Sequence, residues 1–354
     1  MAVPIPSADT IPVAWGWFQF LLLLTFPLHL LAMNAMFGGL AVGVVLQFKN
    51  DQVSNRLAHR VAVMLPLVIA FVVNLGVAPL LFLQVLYGHF IYTSSVLIGI
   101  LWILVVPVLI IAYYGAYLYD FRFKTLGSAG KWVGLLVLIL LPCIGYVFSS
   151  NMLLMALPER FVDYFQHRDG SMIVSGQATF LPRYLHMMTG AVAVGSLFVA
   201  LLGRFRAARD RELAEYAERV GMRTFFVMTL INVIFGTWYL LSLDREEMML
   251  FMGADPAATA CFVVALLMVV FILVMSFKKR LVATLCGTVV LVYLMSFLRS
   301  WLRSALLSDY FNLGQLTVVP QYSSMIFFFA CLAGGLVCVG WLIVKTAGTL
   351  ASEQ

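Results

Sequence analysis

Apolar residues fill this chain in blocks of about 20 or more, separated by short stretches that hold most of the charge. A helix of that length crosses a bilayer hydrocarbon core of ~30 Å. The pattern predicts nine spans, at roughly 20–47, 60–84, 93–119, 131–155, 182–203, 222–243, 256–277, 280–302 and 321–345. Composition points the same way: 63% of the 354 residues are hydrophobic and 11% are charged. A soluble domain is about half apolar and about a quarter charged. The expected fold class is an all-α polytopic membrane protein.

Charge placement orients the spans. If each crosses once, the basic loops fall on one side: Lys49, Arg56 and Arg60, then Arg122, Lys124 and Lys131, then Arg204, Arg206, Arg209, Arg211, Arg219 and Arg223. The turn Lys278-Lys279-Arg280 and Lys345 join them. The opposite loops are mixed or acidic, with Glu159, Arg160, Asp163, Arg168 and Asp169, then Asp244, Arg245, Glu246 and Glu247. Basic loops stay in the cytoplasm, so the N-terminus is expected in the periplasm and the C-terminus in the cytoplasm. The net charge of +6 is thereby a topology signal and not a sign of nucleic-acid binding, because it is spread over short loops. Met1–Thr10 lacks the basic n-region of a cleaved signal peptide. Pro12, Trp15 and Trp17 place residues 1–19 along the outer interface, where indole rings prefer to sit. The expected organisation is that interfacial segment, a nine-helix membrane domain over 20–347 and a cytoplasmic tail over 348–354, all in a bacterial inner membrane.

Soluble-enzyme motifs are missing. Cys143, Cys261, Cys286, Cys331 and Cys338 fall in spans with no close pair, and no Cys-x-x-Cys-His occurs, so no covalently attached c-type haem is expected on this chain. Phosphate loops, nucleophile elbows and His-Glu-x-x-His are likewise absent. The sequence offers no convincing internal repeat, and an odd number of spans speaks against a simple inverted duplication.

An ionisable residue inside a span costs at least a few kcal/mol on insertion scales, which makes each one a functional candidate. His29 lies about two turns into the first span and His186 about one turn into the fifth. Both spans run inward, so both imidazoles are expected at a shared depth in the outer half of the bilayer. Neutral imidazole ligates haem iron, and haem needs an apolar slot. Gly190 and Ala193 follow His186 on one face and leave room for a flat macrocycle, while Met33, Met36, Gly38, Gly39 and Gly43 follow His29. An ordinary alternative stands beside this: small residues also let membrane helices approach, and a histidine can hydrogen-bond across a helix pair. His59 sits with Arg56 and Arg60 at a helix start, His167 lies in a charged loop, and His89 sits at the outer turn after the second span, where a solvated role is expected.

Arg299 and Arg303 are spaced i,i+4, share a helix face and fall at the outer end of the eighth span. Planar guanidinium forks there suit the two carboxylates of haem propionates, with snorkelling toward lipid phosphates as the alternative. In the second span Asn74 and Gln84 flank Gly76 and Pro79, which loosen the helix and free a carbonyl. The 18 methionines supply thioether ligands without singling one out.

Three stretches carry a resemblance. Gln19-Phe-Leu-Leu-Leu-Leu-Thr-Phe-Pro-Leu-His29, Gly76-Val-Ala-Pro-Leu-Leu-Phe-Leu-Gln-Val-Leu-Tyr-Gly88 and Tyr184-Leu-His-Met-Met-Thr-Gly-Ala-Val-Ala-Val-Gly-Ser-Leu-Phe198 resemble subunit I of the cytochrome bd quinol oxidases. The resemblance implies that His29 ligates a haem of the oxygen-reducing pair and His186 the low-spin b haem. It implies haem b, one or more, as cofactor and a second membrane subunit as partner. This chain departs from the family in four places. Gln84 stands where the family has a haem-site glutamate, and no carboxylate lies near Ser296 or Ser300 for the later one. Met268 is the mid-span methionine of span seven, and the quinol-binding loop is reduced to Asp244–Asp255. The cofactor-binding set is therefore His29, His186, Arg299, Arg303, Gln84 and Met268, with iron on His29 and His186. The expected function is a haem b-binding electron-transfer subunit of an inner-membrane respiratory complex, exchanging electrons with a periplasmic c-type cytochrome. The alternatives are a cofactor-poor structural or assembly subunit and a terminal oxidase with altered ligands.

Overall fold

The computed structural model describes residues 3–49, 51–166, 168–205 and 208–352, and side chains through residue 346 with Ser128 excepted. His167 and Arg206 lie outside these residues. Among the described residues nine helices are long and apolar enough to cross a membrane. They are α1 (Trp15–Gln47), α2 (Gln52–Leu97), α3 (Gly99–Phe121), α4 (Gly130–Leu154), α5 (Phe180–Arg204), α6 (Arg211–Ser242), α7 (Pro256–Phe277), α8 (Leu281–Leu306) and α9 (Tyr322–Ser352). Extended pairing among the described residues is confined to one isolated bridge between Ile11 and Val318. The chain is an all-α, multi-pass membrane protein, as expected where every backbone polar group must be satisfied inside its own segment. Several helices open on a carboxylate that takes up free N–H groups of the first turn. Asp51 accepts from Ser54 at 2.8 Å, Asp210 from Leu213 at 3.2 Å, and Asp255 from Ala257 and Ala258 at 2.8 and 2.9 Å.

Several helix ends differ from the pattern-based reading, including the earlier starts of α2 at Gln52 and α6 at Arg211. Helix α1 begins at Trp15, so the end of the supposed interfacial segment is already helical. The residues before it are clamped: Ile11 and Val13 are buried, Ile11 N–H donates to Thr317 at 2.9 Å, and Val319 N–H donates back to Ile11 at 2.9 Å. Helix α2 continues to Leu97 through a bend at Tyr87 (φ −133°, ψ 30°). Phe90 and Ile91 beyond the bend, and Leu86 just before it, are buried with Leu154 and Phe161, which holds the continuation in place. His89 therefore stands on a helix, not in a turn, with its ring 4.6 Å from that of Phe311. Helix α9 extends to Ser352 and takes in most of the supposed tail.

Helix α1 packs on α2 and α5, and α5 packs on α6; α3 pairs with α4, α7 pairs with α8, and α9 stands outside with its side chains largely exposed. The basic loops gather at one end. There Arg56 pairs with Asp210 and, at 3.2 Å, with Glu212, while Tyr119 donates to Gln47 at 3.0 Å.

Candidate functional site

Away from the basic end, two histidines repeat one geometry. On α1, His29 Nδ1 lies 3.1 Å from the backbone carbonyl oxygen of Val72 on α2. On α5, His186 Nδ1 lies 3.1 Å from the carbonyl oxygen of Asn232 on α6. A carbonyl only accepts, so each ring donates from Nδ1, and in the neutral imidazole Nε2 keeps its lone pair. Imidazoles that bind metal are held in this way, with the other ring nitrogen donating to a carbonyl or carboxylate.

Glycine makes the contact accessible. Each acceptor is followed four residues later by one: Val72 by Gly76, and Asn232 by Gly236. Side chains on a helix lean toward its N-terminus, so residue i+4 covers the carbonyl of residue i. A Cβ on Gly76 would stand 2.8 Å from Cε1 and 3.0 Å from Nδ1 of His29. On Gly236 it would stand 2.9 Å and 3.0 Å from the same atoms of His186. Neither position accepts a side chain while the imidazole stays. The carbonyl freed in α2 is thus that of Val72, and Gly76 frees it by uncovering it.

The two histidine contacts recur at nearly matching spacings along the chain. His186 follows His29 by 157 positions, and Asn232 and Gly236 follow Val72 and Gly76 by 160. Gly195 likewise follows Gly38 by 157, and these two glycines pack against each other where α1 crosses α5. Both helices run toward the basic end, so the repeated pairs α1–α2 and α5–α6 are parallel and not inverted. In the first pair Gly43 faces Val61; in the second, Ala200 faces Gly221 at the corresponding positions, with the smaller residue moved to the other helix. Gly38 and Gly43 therefore serve helix packing, the ordinary alternative. Gly190 opens no clear space either: the Asn232 side-chain amide lies 3.2 Å from where its Cβ would be.

The arginines gather between the two histidines. Arg299 on α8 lies over the Phe26 ring, 4.7 Å from its centroid, one turn from His29 on α1. Its ionisable neighbours include two more guanidiniums, Arg303 and Arg183, the latter three residues before His186 on α5. Arg303 lies 4.6 Å over the ring of Tyr87. None of the three is within ion-pair distance of a carboxylate among the described residues, and Arg303 Nε is buried without a hydrogen-bond partner. Three like charges with no counter-ion call for an anionic ligand. A cavity of about 430 Å3 opens between α1 and α8, lined in part by Gln19, Tyr87 and Ser300; it meets the arginines only through the Tyr87 ring under Arg303, and neither histidine lines it.

The remaining expected residues are less closely gathered. Gln84 is partly buried on α2, two turns from Gly76 and further from the basic end. Met268 packs against a hydrophobic cluster that includes Ala193, Leu197, Met222 and Phe225. Asn74 donates to Ala70 of its own helix at 2.7 Å. Ser296 donates to Val292, and Ser300 accepts from Gln19 at 2.7 Å, so the two positions where a glutamate was sought are ordinary hydroxyls. Sequence reasoning missed Arg183, Asn232 and Gly236; of these, Arg183, an ionisable residue at the start of the span that carries His186, was the available signal.

No protein-family model matches the chain, nor does any curated protein. The residues therefore have to speak for the cofactor. Among the described residues no group of three or more His, Cys, Asp or Glu could cage a bare metal ion. Single imidazoles with Nε2 free suit a metal that brings its own equatorial ligands, and unpaired guanidiniums at the same end suit the carboxylates such a macrocycle carries.

Proposed function

We propose that this chain is a haem b-binding electron-transfer subunit of an inner-membrane respiratory complex, related to subunit I of the cytochrome bd quinol oxidases. The observation that carries the reading is the duplicated histidine geometry, each ring oriented by a backbone carbonyl through an uncovered glycine turn. His29 and His186 offer Nε2 to iron on separate helices, and Arg183, Arg299 and Arg303 hold propionate charge between them. A haem bound there supplies a one-electron carrier. With basic loops in the cytoplasm, the histidines stand in the periplasmic half, where a c-type cytochrome is the accessible partner. The exposed α9 is the natural seat of a second membrane subunit.

An absorbance spectrum and a haem count per polypeptide, on detergent-purified protein from haem-sufficient cells, test this reading. A b-type Soret band lost stepwise in His29→Ala and His186→Ala is the expected result. Absence of any Soret band overturns it in favour of the second reading, a cofactor-poor structural subunit. That alternative draws on the Asn232 amide against Gly190 and on the packing of Met268 in a hydrophobic cluster.

A further inference from the structure

At the basic end, a groove lies between the last residue described on the α1 side, Lys49, and the first half of α6. It encloses about 560 Å3, and its lining includes Lys49, Arg219, Arg223, Thr224, Val227 and Met228. The α6 residues are spaced by three and four, so they form one stripe along a single helix face. Helix α6 starts at the basic end, and the stripe changes character as it descends. Tyr216 and Arg219 come first, then Val220, Arg223 and Thr224, and the last turn, Val227 and Met228, is aliphatic alone. Arg219 to Met228 is nine residues, about 14 Å of helix. The order and the length match a phospholipid standing in the adjacent leaflet, with headgroup at the rim, glycerol beside Thr224 and acyl chain along Val227 and Met228.

Charge bookkeeping at this end sharpens the point. Asp210 and Glu212 are taken by Arg56, Glu215 by Arg211, and Asp51 by the Ser54 N–H and hydroxyl, with Lys49 as its charged neighbour; Glu218 precedes Arg219 and ion-pairs with none of the groove's cations. Lys49, Arg219 and Arg223 have no carboxylate within ion-pair distance among the described residues. Scattered basic residues would satisfy a topology rule without any concavity. Here three unpaired cations border one groove whose floor is apolar, the form in which basic membrane pockets hold acidic headgroups. We propose that the groove binds one anionic phospholipid, its phosphodiester held by Lys49, Arg219 and Arg223 and its acyl chain lying on Val227 and Met228. The haem reading is not needed for this site.

The test uses the full chain relipidated with equal amounts of phosphatidylglycerol and phosphatidylcholine, then stripped with excess detergent and weighed by native mass spectrometry. The expected result is about one phosphatidylglycerol retained per chain, with at least a roughly tenfold preference over phosphatidylcholine. Arg219→Gln with Arg223→Gln should abolish that preference, Thr224→Trp should fill the groove and do the same, and Arg204→Gln should leave it unchanged. Inorganic phosphate at millimolar concentration should not displace the lipid. Equal retention of the two lipids, or undiminished preference in the folded variants, overturns the proposal. Displacement by inorganic phosphate also overturns it, by making this a soluble-anion site. Should the double arginine variant fail to fold, the wild-type preference and Thr224→Trp still decide.

Discussion

Gly38 on α1 and Gly195 on α5 meet backbone to backbone, each nine residues beyond its histidine. A Cβ on either would enter the main chain of the other helix, which has no flexible end to move aside. Gly39, the next residue, faces only the Phe198 ring, at 3.2 Å. Gly38→Ala should therefore cost about 1–3 kcal/mol, the usual penalty of overpacking, and Gly39→Ala distinctly less. Thermal unfolding of the two variants in the same detergent measures the difference, and equal losses would contradict a backbone-to-backbone crossing.

Gly76 and Gly236 set the imidazoles. Alanine at either position pushes a ring off its carbonyl, and loss of such an orienting partner typically weakens metal binding by about 10–100-fold. Gly76→Ala and Gly236→Ala should each lower haem occupancy at one site, read as haem per chain during dialysis against a haem scavenger. Gly145→Ala, whose Cβ meets nothing closer than Met188 Cε at 3.6 Å, is the control and should keep wild-type occupancy. Equal retention in all three variants would contradict the orienting role.

Much of this was legible in the sequence, and the remainder was hidden for identifiable reasons. Span positions follow from apolar block length, a local property, and all nine expected spans correspond to helices. His29, His186, Arg299 and Arg303 stood out because an ionisable side chain in an apolar block is conspicuous. The partners of the histidines did not, because Val72 and Asn232 contribute main-chain atoms that any residue type would present. Gly236 reads as one small residue among many in a membrane helix. The matching spacing of the two helix pairs is hard to see because the residues in contact differ, Gly43 with Val61 in one and Ala200 with Gly221 in the other. The bend at Tyr87 was hidden inside a continuous apolar run, where span length alone suggests an earlier end.

Arg299 lies between the helices that carry the two histidines, with Arg183 and Arg303 as charged neighbours. A cation near a haem favours the reduced state, which carries one less positive charge. Removing it should lower the midpoint potential. One unit charge at ~10 Å in a medium of effective dielectric ~20 amounts to about 1–2 kcal/mol, or tens of millivolts for one electron. Arg299→Gln should shift at least one haem downward by that order, and Arg299→Lys should shift it less. A redox titration followed at the haem absorbance band checks both, and an unchanged or raised potential would remove Arg299 from the site.

At the basic end, Asp210 ties α6 to α2. The Arg56 guanidinium, and then the Leu213 N–H, hold its carboxyl below the usual carboxylate range, and Asp210 in turn holds Arg56 more firmly charged. A carboxyl whose value is depressed on folding contributes stability that is fully present above its unfolded value of about 3.9. That contribution fades as pH falls through the lower folded value. Asp210→Asn should therefore melt below the wild type at neutral pH, with a gap that narrows on acidification past about pH 4. Added salt should narrow it too, because the pair is partly exposed. Asp51 titrates in both proteins and cancels from the comparison. Melting temperatures of the two proteins across that acid range are the measurement, and a gap independent of pH would mean that the cap and ion pair at Asp210 do not act through its charge.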